Sequence, residues 1–303
     1  MAKKNKIENR NKATAKQIFN DTLVYILLIT LSIIWLFPIV WIIINSFRAN
    51  SVAGDPYIGS YFPTLWPEHW TLENYSELFK AGERQIIDFP RMFLNTLFIS
   101  IFSCVVSTIF VISVSYVLSR RRFKSRQSLI KGSMILGLFP GFMAIVAIYQ
   151  ILKALNLIGG NNTYVALILL YSAGAGMGFL LLKGYIDAIP IDLDEAATID
   201  GATQWEIFTK IIIPIAKPMI VYQILTAFLG PWLDFISAKV IAGADPRYWT
   251  VSVGLYNMLS RNYVSTWFTN FMAGSVLVSI PIATLTIIMQ RFYNQSLSGA
   301  VKG

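Results

Sequence analysis

The chain has 303 residues, of which 55% are hydrophobic and only 14% charged, and its mean hydropathy is +0.57. Soluble domains carry about 25% charged residues, so an ordinary soluble domain is excluded. The net charge of +9 comes from basic residues beside apolar runs, the pattern that orients a membrane protein rather than one that grips nucleic acid.

The first 20 residues contain six Lys or Arg and no apolar run. A secretory signal would follow such a start with an apolar core of only about 7–15 residues. Here the apolar run covers residues 23–44 and no small-x-small cleavage site follows. The reading is a basic tail over 1–20 and an uncleaved first span over 22–46.

Uncharged stretches recur at 22–47, 92–119, 132–152, 154–182 and 262–290. Each can supply the roughly 20 apolar residues that cross a bilayer as a helix. The expected fold is an all-α integral membrane protein with six transmembrane helices, at about 22–46, 92–118, 130–152, 163–184, 217–237 and 266–290. In the fifth, Lys217 and Asp234 bracket only 16 uncharged residues. Pro38, Pro140, Pro218, Pro231 and Pro281 fall in or beside these spans, where neighbouring helices can satisfy the freed carbonyls.

Six spans place both termini on one side. Of the Lys and Arg residues, six lie in the tail, six between 120 and 131, three in 183–217 and two at the end of the chain, against eight on the opposite face. The positive-inside rule makes the richer face, and both termini, cytoplasmic. The expected organisation is a tail (1–20), a six-span domain (21–290) and a C-terminal tail (291–303). Within the domain lie outer loops at 48–91 and 238–265 and an inner loop at 187–216.

In the first outer loop Thr71 is positioned to cap a short helix with Leu72, Tyr75, Leu78 and Phe79 on one face. His69 reads as a surface residue, and Cys104 as a small packed hydrophobe inside an apolar run. With one His and one Cys, no metal or histidine-based catalytic site is expected. The last outer loop carries Tyr248, Trp249, Tyr256 and Tyr263. These are either interface anchors or contacts for a partner or sugar.

The inner loop reads IPIDLDEAATIDGATQWEIFTKIIIPIAKP. Asp192 and Glu195 have capping-box spacing, Gly201 supplies a helix stop, and Thr203 and Glu206 form a second capping box. Two short helices follow, about 193–200 and 204–213, with Pro214 interrupting the second. From these residues alone, a rigid elbow that transmits force and a hairpin lying on the membrane remain equal alternatives.

Polar side chains inside the spans mark a candidate substrate path: Tyr149, Gln150, Tyr171, Ser172, Tyr222, Gln223, Thr226 and Asp234. Bonding between helices is the alternative role for each. Ala173, Gly174, Ala175, Gly176 and Gly178 suit close helix approach. An ion-coupled carrier would need intramembrane carboxylates and inverted repeats; Asp234 is one carboxylate, near a span end, and no repeat is evident. A channel filter and a nucleophile–base constellation are likewise not evident.

The inner loop resembles the signature of permeases of ATP-binding-cassette importers: E-A-A, three residues, G, nine residues, I, one residue, L-P. Glu195, Ala196, Ala197, Gly201, Ile211 and Pro214 match in register, and Ile213 stands where leucine is usual. LIKGSMILGLFPGFMAIVAIYQIL, LLKGYIDAIP, DEAATIDGAT and the ending SLSGAVKG look similar to the smaller permease of the maltose/maltodextrin type. The resemblance implies a multi-pass subunit of a bacterial plasma membrane that forms half of an oligosaccharide path. It implies that the loop, with Asp200 and Ala202, is a coupling helix docked on an ATPase through Glu195. By the same resemblance Gly299, Lys302 and Gly303 would reach between two ATPase subunits.

The loop after the fifth span would then touch an extracytoplasmic sugar-binding protein, and a second permease would complete a heterodimer. No GxxxxGK[ST] motif occurs, so ATP and Mg would be bound by the separate ATPase and this chain would not be an enzyme. Raffinose, another oligosaccharide or glycerol phosphate are alternative substrates.

Overall fold

A computed structural model describes residues 2–49, 65–80, 87–173, 178–260 and 264–300, with side chains described from 20 onward except at 142, 264–266 and 291–300. Among the described residues the fold is helical, and the one extended pairing is an isolated bridge between Arg48 and Trp70.

Helix α1 (Ala2–Asn45) carries the first span, and its backbone is helical through the expected tail. A short α2 (Glu73–Phe79) follows in the first outer loop. Thr71 does accept a bond from the Glu73 N–H over 3.1 Å. The buried face of α2 is Asn74 and Leu78, whereas Leu72 and Phe79 are exposed. Asn74 wins that face because its amide donates to the carbonyls of Ser46 and Arg48, tying the loop to the end of α1.

Helix α3 (Phe89–Arg120) is the hub. Its start is capped by Asp88, whose side chain accepts the Arg91 N–H, and Pro90 sits in the first turn, where no N–H is needed. It packs against α6 (Asn162–Ala173), α7 (Gly178–Asp187) and α11 (Lys217–Leu233). Helix α14 (Val264–Ala300) lies against α11, α1 and α2. Hydroxyls in the spans bond back to carbonyls four residues earlier, as Thr30, Ser32, Thr226 and Thr286 do. Cys104 is buried in α3, and His69 is exposed.

Among the described residues four helical stretches are long and apolar enough to cross a membrane: Asn20–Asn45, Phe89–Arg120, Asn162–Asp187 and Trp267–Gln290. A fifth arises if Gln204–Ile215 and Lys217–Leu233, bent by 77°, are taken together. The expected third span is broken into α4 (Arg126–Gly137) and α5 (Gly141–Ala154). Pro140 is the reason: it lacks an N–H and biases Phe139 away from helical geometry. The expected fifth span also stops early, at Leu233, and α12 (Ile236–Ala242) starts anew.

The last outer loop is folded as well. After α12 come a single 3-10 turn (Pro246–Tyr248) and α13 (Val251–Met258). Gly254 lets α13 approach α3 closely, since a Cβ there would collide with Sδ of Met92.

Candidate functional site

Helix α8 (Asp192–Ile199) opens the inner loop. The expected Asp192–Glu195 box does not form. Ile191, already in helical geometry, occupies the cap position, and no side chain caps the helix. The far end follows expectation. Gly201 has φ +84°, its N–H donates to the Thr198 carbonyl over 3.1 Å, and the Ala202 N–H donates to the Ala197 carbonyl over 2.9 Å. This paired closure is the Schellman arrangement, which glycine adopts without Cβ strain.

Thr203 then starts the second helix. Its hydroxyl accepts the Glu206 N–H over 3.3 Å, while Oε2 of Glu206 accepts the Thr203 N–H over 2.9 Å. That backbone bond, followed by the bonds from Lys210 and from the Thr203 hydroxyl, holds the Glu206 carboxyl down at about 2. After α9 (Gln204–Glu206) the chain winds as a π-helix over Ile207–Ile212 and returns to α-helix in α10 (Ile213–Ile215). The corner is at Ala216 rather than at Pro214, which lies inside the continuous winding from Gln204 to Ile215.

The loop has two faces. Ala197 and Ala202 pack against a buried base that includes Ile186, Ile189, Ile207, Phe208 and Ile212. Glu195, Ala196, Asp200, Gly201 and Pro214 are exposed. Among them stand large apolar side chains, Ile199 at 87% exposure and Trp205 at 69%. Such a surface is costly in water and suits a partner.

Asp194 holds the loop down, a role that sequence reasoning missed. Its Oδ2 lies 2.9 Å from Nε of Arg120, at 15% and 8% side-chain exposure. The contact is ionic; Arg120 Nε and Asp194 Oδ1 make no aligned hydrogen bond among the described residues. Nη2 of Arg120 also donates to the Ile189 carbonyl over 3.0 Å. Arg120 had counted only as one of a basic cluster; its place at the end of a span facing an acidic loop was the available signal.

A cavity of about 410 Å³ between α3, α6, α7 and α11 gathers five of the eight span candidates: Tyr171, Tyr222, Gln223, Thr226 and Asp234. Ser107 and Ser237, which the sequence had not singled out, complete its polar lining. Nε2 of Gln223 donates to Oγ of Ser107. The Tyr171 hydroxyl donates to Oδ2 of Asp234 over 3.2 Å, and the Ser237 N–H donates to Oδ1 over 3.0 Å. Such groups can match sugar hydroxyls, and the two tyrosines supply rings. Tyr149 and Gln150 lie on α5, away from this cavity, with Gln150 exposed. Ser172 is buried outside it.

The aromatic loop departs from expectation. Tyr248 and Trp249 are 6% and 5% exposed. The Tyr248 hydroxyl donates to Asn161, the Trp249 indole donates to the Gly243 carbonyl, and Lys239 lies over the Trp249 ring. Both rings are therefore core rather than presented to a partner. Tyr256 remains 54% exposed, tilted against Phe235. Gly299 lies in the last turn of α14, and Lys302 and Gly303 lie outside the described residues, as do Gly174, Ala175, Gly176 and Tyr263. Among the described residues no three His, Cys, Asp or Glu side chains converge on a metal position.

Comparison with known proteins agrees with this architecture. Residues 14–299 match the family described as the binding-protein-dependent transport system inner membrane component. The chain is 35% identical over 282 residues to the galactooligosaccharides transport system permease protein GanQ of Bacillus subtilis (strain 168), covering 92% of this chain and 94% of that one. It is 30% identical over 297 residues to the maltodextrin transport system permease protein MalD of Streptococcus pneumoniae (strain ATCC BAA-255 / R6), covering 97% and 99%. Among solved structures, a chain of a bacterial ABC transporter involved in the import of the acidic polysaccharide alginate superposes with a TM-score of 0.72 at 19% identity, covering 92% of this chain and 98% of that one. With a helical fold of apolar spans and a family match over nearly its whole length, the chain belongs to the inner membrane components of binding-protein-dependent transport systems.

Proposed function

We propose that the chain is one permease subunit of an ATP-driven importer of neutral oligosaccharides. The family match from 14 to 299 carries this reading. The names of two relatives, a galactooligosaccharide and a maltodextrin permease, favour neutral sugars as cargo. A second permease, two ATPase subunits with ATP and Mg, and an extracytoplasmic sugar-binding protein complete the assembly.

In this reading α4 and α5 together make a sixth crossing around the break at Pro140, and both termini are cytoplasmic. The distribution of Lys and Arg supports that orientation. Helix α8 docks in the ATPase through Glu195, Ala196 and Asp200, and the exposed Ile199 and Trp205 are covered there. A helix closed at its far end by Gly201 and ion-paired through Asp194 moves as a unit, so closure of the ATPases displaces the spans packed on it and alternates access. Sugar passes the cavity lined by Tyr171, Tyr222, Gln223, Thr226 and Asp234. Of the aromatic loop, Tyr256 meets the binding protein, a role its exposure supports. The C-terminal Gly299, Lys302 and Gly303 reach the ATPases.

The test is ATP hydrolysis and uptake by the reconstituted complex, with and without binding protein and oligosaccharide. A complex carrying Glu195→Lys and Gly201→Asp should assemble less tightly with its ATPase and lose stimulated hydrolysis and uptake. Uptake that persists without ATP, or with the loop so altered, would overturn the importer reading in favour of an ion-coupled carrier.

A further inference from the structure

Both surfaces that an importer must connect are fastened to one helix. At its first turns, α3 holds the aromatic loop through Asn95, whose amide donates to the carbonyls of Arg247 and Trp249, each over 3.0 Å. Its Oδ1 accepts the Tyr164 hydroxyl over 2.7 Å, so the side chain is fully used. Next to it, Thr96 Oγ1 accepts the Val251 N–H over 2.8 Å and so caps the start of α13 from across the interface. All of these groups are buried or partly buried. At its last residue, α3 holds the inner loop through Arg120, by the ion pair to Asp194 and the bond to the Ile189 carbonyl.

Between these ends the helix is unbroken. From Asn95 to Arg120 it contains no glycine and no proline, the usual causes of a kink. At about 1.5 Å per residue the two fastenings are about 38 Å apart, more than the roughly 30 Å hydrocarbon core. The route through α11 is interrupted: that helix ends at Leu233, and a 77° corner separates it from α10.

We propose that α3 is the connecting rod of the transport cycle. Asn95 with Thr96, and Arg120 with Asp194, are its positioning residues, so that displacement of the 246–251 loop by a docked binding protein is felt at α8. A rigid element held at both ends is a physical basis for coupling two distant sites. This rests on the importer reading above, with the aromatic loop outside and α8 inside.

The experiment uses the assembled importer in proteoliposomes, with its binding protein and maltotetraose or galactotetraose, whichever the wild type takes up. Val105 and Val106 lie mid-helix and are exposed, outside both fastenings and the cavity. Val105→Gly with Val106→Gly should leave basal ATP hydrolysis unchanged and cut its stimulation by loaded binding protein about tenfold, within the usual range of coupling between sites. The matching alanine pair should stay coupled. Arg120→Asp should lose stimulated uptake, and adding Asp194→Arg should restore at least half of it. An assembled glycine pair with full stimulation, or a charge swap that restores nothing, overturns the rod. If the glycine pair does not assemble, the charge swap alone decides. A wild-type complex that hydrolyses ATP but ignores its binding protein instead overturns the importer reading beneath it.

Discussion

Nε2 of Gln223 donates to Oγ of Ser107 over 3.0 Å, joining α11 to α3 across 116 residues of sequence at the wall of the cavity. The carbonyl end of the same amide faces Gly178, where an added Cβ would sit 2.8 Å from Oε1. Gly178→Ala must displace that flexible side chain. The expected cost is that of the bond to Ser107, about 1 kcal/mol for a hydrogen bond between membrane helices. A lower melting midpoint of the purified complex would show it. In a Gln223→Ala background the same glycine substitution should cost nothing further, and a full additional loss there would place the clash elsewhere.

Gly201 is a test of backbone geometry alone. Its φ is +84° and an added Cβ would meet nothing within 4 Å. Gly201→Val should weaken the loop by about 1–2 kcal/mol through left-handed strain, and stimulated ATP hydrolysis should fall with it. Gly201→Asn, which tolerates this geometry, should retain most activity. Equal loss in both variants would mean that the partner surface, not the turn, requires glycine.

The Glu206 cap should leave a mark on pH dependence. Its carboxyl sits at about 2, below the ordinary 4.5. The folded form therefore favours the charged group, and its contribution is complete above about 4.5 and lost as pH falls toward about 2. Hydrogen-exchange protection of amides in 203–212 should decline in that window. Glu206→Gln should remove the pH dependence there; protection that declines identically in that variant would assign it to another group.

Asp234 ends α11, and its side chain accepts the Ser237 N–H in the first turn of α12. Asp234→Asn keeps an oxygen for the Ser237 N–H but can turn a donor toward Tyr171. The complex should assemble, and the KM for sugar uptake should rise about fivefold, on the scale of one lost hydrogen bond. Asp234→Ala leaves the Ser237 N–H and the Tyr171 hydroxyl without this partner, and assembly should suffer as well. An unchanged KM in both would remove Asp234 from the path.

Local chemistry was the legible part of this molecule. The Thr203–Glu206 box and the Gly201 stop involve residues a few positions apart, so the sequence displays them directly. The Asp192–Glu195 box had the same spacing and failed, because the turn at Pro190 brings Ile191 into helical geometry first. Arg120 and Asp194 are joined only by the packing of α3 under the loop, and no local pattern announces that. Trp249 read as an interface anchor or a partner contact because it is an aromatic in an outer loop at the membrane edge; the fold buries it beside α12 and α13. Pro140 read as one more tolerated membrane proline, yet it divides its span, whereas Pro38 and Pro281 leave α1 and α14 continuous.

The π-helical turn at Ile207–Ile212 bears on chain length as well as chemistry. Its bonds span five residues rather than four, so it stores one residue more than an α-helix of equal reach. Each residue of an α-helix rotates the chain by about 100°. A single-residue deletion here would remove that stored residue and let the turn relax to α-helix of the same reach, so Trp205, the Thr203 cap and α8 would keep their direction. In an α-helix without such a reserve the same deletion swings everything beyond it by that angle. Glu195 and Ile199 would therefore face as before: this loop has one residue to spare.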